Sequence, residues 1–93
     1  MARIRNIKPG LFKNEDLAEC SVAARVCLLG LLTLVDQKGC IEDRPAHIRA
    51  ELFPHDTLDV ERLLVELERW RFIRRYAAAS QRFIQVCDDK GVW

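Results

Sequence analysis

Acidic side chains occur in close pairs along this chain: Asp16 with Glu19, Glu42 with Asp43, Asp56 with Asp59, and Asp88 with Asp89. Carboxylates at such spacing can share a divalent cation or divide the work of a general acid and a general base. Here none of the pairs has a matching histidine set in a nuclease motif, so they read as solvated surface. His47 and His55 flank different elements. Cys20, Cys27, Cys40 and Cys87 include no CxxC, and a zinc site needs four well-placed ligands. They read as free thiols, with Cys27 buried in an apolar run. Ser21 and Ser80 lack a basic partner and suit a helix cap and a turn. Phosphate-cradling glycine loops, HExxH and the dinucleotide glycine pattern are absent. The expectation is therefore no enzyme, no cofactor, no metal and no small-molecule substrate.

The arginines are more informative. Residues 1–10 carry Arg3, Arg5 and Lys8 and no acid, while residues 69–82 carry Arg69, Arg71, Arg74, Arg75 and Arg82 and again no acid. Residues 42–68 hold eight acids against three bases. Clustered cations suit phosphate contact, and arginine suits bidentate and minor-groove contacts. The formal net charge is only +1, so any nucleic-acid surface must be a local patch.

Periodicity supplies the elements that would position these charges. The chain is long enough for one domain, 1–93, and no apolar run approaches the length of a membrane span. The opening residues have no hydrophobic segment of a secretory signal behind them, which points to the cytoplasm. Residues 1–10 read as a basic arm or strand ended by Pro9-Gly10. Asn14 is placed to cap a single helical turn carrying Leu17. Ser21 opens a helix over 21–36, apolar nearly all round and so expected to be central. Gly30 inside it reads as a close helix crossing, and Gly39 as a left-handed residue. Cys40 and Ile41 form a short strand.

Two helices follow, over 43–53 and 57–70, with Asp43 and either Thr57 or Asp59 as expected caps. Val60, Leu63, Leu64 and Leu67 give the second an apolar stripe that Trp70 continues, leaving Val65 outside. Residues 72–87 read as a hairpin: strands Phe72–Tyr76 and Arg82–Cys87 around the loop AAAS. The expected fold is α+β, a winged helix-turn-helix with three main helices, a small antiparallel sheet and a C-terminal β-hairpin wing. Such a scaffold usually reads DNA through the second helix of the unit. Here that helix offers Asp59 and Glu61 near its N-terminus, where the helix dipole favours acids but phosphates do not.

The segments MARIRNIKPGLF, DQKGCIEDRP, HIRAELFPHD and FIRRY resemble the N-terminal domains of phage and prophage replication-organiser proteins, over about residues 1–87. The resemblance implies a winged-helix domain in phage DNA metabolism, followed in fuller members by a region that recruits host replication machinery. Placed on that scaffold by charge alone, the residues expected at DNA would be Arg3, Arg5 and Lys8 in the arm, Arg44, His47 and Arg49 in the first helix of the unit, and Arg74, Arg75 and Arg82 in the wing. The chain departs from that pattern in ending at Trp93 with DDKGVW, which leaves no room for a recruitment region.

Two functions are therefore expected. In the first, double-stranded DNA is bound by arm and wing through those cations together with Arg71, in replication or transcription control. In the alternative, the chain is a protein-interaction module. It would meet a host protein through Asp59, Glu61, Val65, Glu66 and Glu68, or form a homodimer through Val65 and Trp93.

Overall fold

A computed structural model describes residues 5–87. Arg3 and Trp93 lie outside that range. A 3-10 turn, Pro9–Lys13, leads into a one-turn helix α1, Glu15–Ala18. Then come α2 (Val22–Leu34), β1 (Cys40–Glu42), α3 (Pro45–Leu52), α4 (Val60–Arg69), β2 (Ile73–Ala78) and β3 (Gln81–Val86). The architecture is α+β, with an antiparallel three-stranded sheet in the order β1-β3-β2. It is compatible with a winged helix.

The caps explain the helix starts. Asn14 accepts from the Leu17 amide at 3.0 Å, and Ser21 Oγ accepts from the Ala24 amide at 3.1 Å. The loop after α2 closes on Asp36, whose Oδ1 accepts from the Lys38 and Cys40 amides at 2.9 Å each. Gly39 sits at φ 82°, where a side chain would be strained.

Two expected caps are not used. The residue at the N-cap of α3 is Arg44, because the Asp43 carboxylate is taken by an arginine from the sheet. Asp59 does occupy the N-cap of α4, which begins at Val60 rather than near Thr57, but its side chain makes no cap bond.

The core is built by α2 and α4 against the sheet. Ala24, Cys27, Leu28, Leu31 and Leu32 from α2 meet Val60, Leu63, Leu64 and Leu67 from α4, with Ile48, Phe53, Phe72, Ile73, Ile84 and Val86 around them. Gly30 is the close crossing: a Cβ there would lie 2.6 Å from Leu52 Cδ2 on α3. Yet α2 is not covered all round, since Val22 is 67% and Val26 46% exposed.

The end of α4 is a Schellman motif. The Phe72 amide donates to the Leu67 carbonyl at 2.9 Å and the Arg71 amide to the Glu68 carbonyl at 3.0 Å. The left-handed residue it requires, usually glycine, is Arg71 at φ 64°. The hairpin is tighter than the AAAS loop implies. Ala78 pairs with Gln81, which leaves only Ala79 and Ser80 in the turn, at φ 52° and 67°. Two positive φ angles are what a type I′ turn needs to match the strand twist.

Candidate nucleic-acid interface

Alternation along β2 sends its two adjacent arginines to opposite faces of the sheet. Arg75 pairs in register with Ile84 and points with it toward the helices. Its Nε donates to Asp43 Oδ2 at 2.7 Å and its Nη2 to Asp43 Oδ1 at 2.9 Å. The same guanidinium reaches Glu61 Oε2 at 2.9 Å and Oε1 at 2.8 Å. The Asp43 side chain is wholly buried and that of Arg75 only 9% exposed. Hydrogen bonds from Arg75 hold the Glu61 carboxyl below the usual carboxylate range, and both carboxylates raise the affinity of Arg75 for its proton. Arg75 is thus a structural hub that joins β2, the start of α3 and the first turn of α4. It is not a cation presented to solvent, and the expected phosphate role falls away from it.

Arg82 is the outer member of the cluster. Its Nη2 stands 3.5 Å from Asp43 Oδ2 while its side chain remains 66% exposed. The four groups Asp43, Glu61, Arg75 and Arg82 balance in charge, so the N-terminal end of α4 is less acidic than its sequence implies. Glu66 and Glu68 also have internal duties. Glu66 accepts from the Ser21 amide at 2.8 Å and the Ser21 hydroxyl at 2.9 Å, which ties α4 to the start of α2. Glu68 accepts from the Arg75 amide at 3.2 Å. Of the residues proposed for an acidic protein-binding face, only Asp59 and Val65 are exposed without such a bond among the described contacts.

The arm behaves in the same way. Arg5 donates to the Val35 carbonyl at 3.3 Å and to that of Asp36, so it serves the C-terminal end of α2. Lys8 is exposed ahead of the 3-10 turn. On α3, His47 and Arg49 are exposed, with Arg49 Nη2 donating to the Asp56 carbonyl at 3.0 Å. Arg44 is 67% exposed and 4.0 Å from Glu42.

Arg74 occupies the outward face of the sheet. Its Cζ lies 4.9 Å from the Tyr76 ring centroid, and Nη2 donates to Gln85 Oε1 at 3.2 Å. Across the register, Tyr76 stacks on Phe83 with centroids 5.7 Å apart and planes 30° from parallel. The Tyr76 hydroxyl is 3.7 Å from Cys40 Sγ, a contact that raises the tyrosine pKa. The sequence reading missed this group. The signal available to it was the alternation of Arg74 and Tyr76 on β2 and of Phe83 and Gln85 on β3, which puts all four on one face of the sheet.

A second unforeseen feature is apolar. Phe12, 73% exposed, borders a groove with Leu17, Val22, Val26 and Leu29. Cys20, Cys27, Cys40 and Cys87 form no disulfide with one another, and burial pushes Cys27 up to about 12 and Cys20 upward. Among the described residues no cluster could hold a metal ion, and no helix is long and apolar enough to cross a membrane.

Compared with family models, curated proteins and solved structures, the chain matches none. What it does must be read from its own geometry.

Proposed function

We propose that the chain is a winged-helix module that binds double-stranded DNA, with the hairpin as its principal contact. The setting is the one its resemblance implies, phage replication or transcription control. One observation carries the reading. Residues 73–86 contain no carboxylate and present Arg74 and Arg82 from opposite faces; of the acids around them, Asp43 and Glu61 are held by the Arg75 guanidinium, Glu68 accepts the Arg75 amide, and Glu42, across from Phe83 on β1, stands 4.0 Å from Arg44. Arg44, 67% exposed although 4.0 Å from Glu42, adds a further cation beside the sheet.

The helix that ordinarily reads bases is a weak reader here. Its outward positions offer Arg62, Val65 and Arg69 beside Glu61 and Glu68. Binding should therefore depend strongly on salt and weakly on sequence, because phosphate contacts release counterions and carry no base information. A titration of a labelled duplex at two salt concentrations, with the wild type and with Arg82→Gln, tests this.

One observation favours a second reading. Phe12 and Val22 are more exposed than large apolar side chains of a lone domain need to be, and they share one groove. A protein partner seated there would use this apolar surface and not the carboxylates of α4. That version expects no duplex affinity at about 0.15 M salt, where the Debye length is only about 8 Å.

A further inference from the structure

The outward face of the sheet carries an arrangement of which duplex binding uses only the charge of Arg74. Phe83 stacks beneath Tyr76, and the Arg74 guanidinium lies over the Tyr76 ring, fixed sideways by Gln85. Arg74 thus presents a flat cation whose position is set from below and from the side. Next to it is a shallow depression of about 290 Å³ lined by Glu68, Arg71, Ile73, Arg74 and Cys87. Two arginines there face one carboxylate, and that carboxylate already accepts the Arg75 amide.

Arg71 is held at the left-handed position of the Schellman motif, where glycine is the unstrained choice. A side chain kept in strained backbone against that preference points to use.

We propose that this face binds single-stranded DNA, one unpaired base stacking on the Arg74–Tyr76–Phe83 layers and its flanking phosphate lying between Arg71 and Arg74. The chemistry fits on both counts. Aromatic and guanidinium planes accept any base through its π-face, whereas a base inside a duplex has both faces covered by its neighbours. Arginine pairs with phosphate oxygens in a planar fork. The proposal rests on the duplex reading only in naming DNA rather than RNA. Arg74 serves both readings; the residues specific to this one are Tyr76, Phe83 and Arg71, and those specific to the duplex are Arg82 and Arg44.

The test is fluorescence anisotropy with labelled oligo-dT, an abasic strand of equal length, oligo-U and a duplex. With the wild-type chain, oligo-dT should bind about fivefold or more tighter than the abasic strand, the least that one stacked base supplies. Tyr76→Leu, which keeps an apolar cover but removes the ring that seats the Arg74 guanidinium, should lose that advantage and keep most of the duplex affinity, which depends on the charges of Arg74 and Arg82. Arg71→Gly should weaken oligo-dT binding and lower its salt slope by about 0.7, the value for one single-strand phosphate. It should also raise the melting temperature, so a loss of binding could not be blamed on poor folding.

Equal binding of oligo-dT and the abasic strand overturns the stacking proposal without requiring any variant. Preference for oligo-U overturns the assignment to DNA. Duplex binding with no oligo-dT binding overturns this proposal and leaves the duplex reading standing. Oligo-dT binding that Tyr76→Leu abolishes, with no duplex binding, does the reverse.

Discussion

Arg75 and Asp43 meet side-on across the hairpin base, with Nε to Oδ2 at 2.7 Å and Nη2 to Oδ1 at 2.9 Å, in a site that leaves the carboxylate no solvent contact. Removing one partner of a buried pair costs about 3–5 kcal/mol where the other charge is left uncompensated, and because Glu61 still faces Arg75 the loss here falls at the lower end of that range. A domain of this size has only about 5–15 kcal/mol of stability. Asp43→Asn should therefore unfold in urea at a markedly lower midpoint, with a loss of about 3 kcal/mol. A midpoint within about 0.5 kcal/mol of wild type would mean that the pair does not hold hairpin and helix together.

Glu61 adds a pH dependence. Its carboxyl is held below the ordinary range by Arg75 in the folded chain. A depressed folded pKa contributes stability that is fully present above the unfolded value, about 4.3, and is lost as pH falls through the folded value. Wild type should therefore lose more stability than Glu61→Gln on acidification from about pH 5 to pH 3. Because Glu61 is half exposed, the difference will be modest and will shrink in salt. Parallel stability curves for the two proteins would remove Glu61 from the network.

Gly30 and Leu52 should behave as a coupled pair. Alanine in a helix interior is favoured over glycine by about 1 kcal/mol. At position 30 its Cβ would meet Leu52 Cδ2 at 2.6 Å and Cγ at 3.0 Å. Gly30→Ala alone should fail to deliver the propensity gain. In a Leu52→Ala background the same change should recover it, and the double-mutant cycle should give a coupling of about 1 kcal/mol. Additive effects would show that α2 and α3 do not press together there.

The hairpin turn is chemically unsuited to its shape. Ala79 and Ser80 both have positive φ, a conformation that places Cβ against the following carbonyl and costs roughly 1–2 kcal/mol per residue outside glycine. Replacing Ala79-Ser80 with Asn-Gly should stabilise the fold by about 1 kcal/mol, a rise in Tm of about 4–8 °C. A lower Tm would mean that the turn is not type I′.

Much of the fold was legible because it follows from local rules. The stripe Val60, Leu63, Leu64, Leu67 places α4 on the core, Asn14 and Ser21 cap the helices they precede, and Gly30 marks a close crossing. The electrostatics were less legible, because a linear count does not say which face a side chain takes. Arg74 and Arg75 are adjacent in sequence and opposite in space. Asp43 had a local use as a cap and a distant partner on β2 that outcompeted it. Glu66 looked like free surface until α2 came alongside with Ser21. Arg5 looked like part of a basic arm until the last carbonyls of α2 reached it. In each case a partner more than twenty residues away decided the role.

The central claim is that the hairpin, and not the arginine count of the sequence, makes the nucleic-acid contact. The most direct test is the affinity for a labelled duplex at about 0.05 M and 0.2 M salt, a range over which phosphate contacts weaken strongly. Wild type and the double variant Arg74→Gln/Arg82→Gln should be compared, with folding of each checked by circular dichroism. The account predicts that wild-type binding falls steeply with salt and that the folded double variant loses about 0.9 of salt slope for each phosphate contact removed. No wild-type binding at the lower salt, or a folded double variant that binds as wild type does, would contradict it.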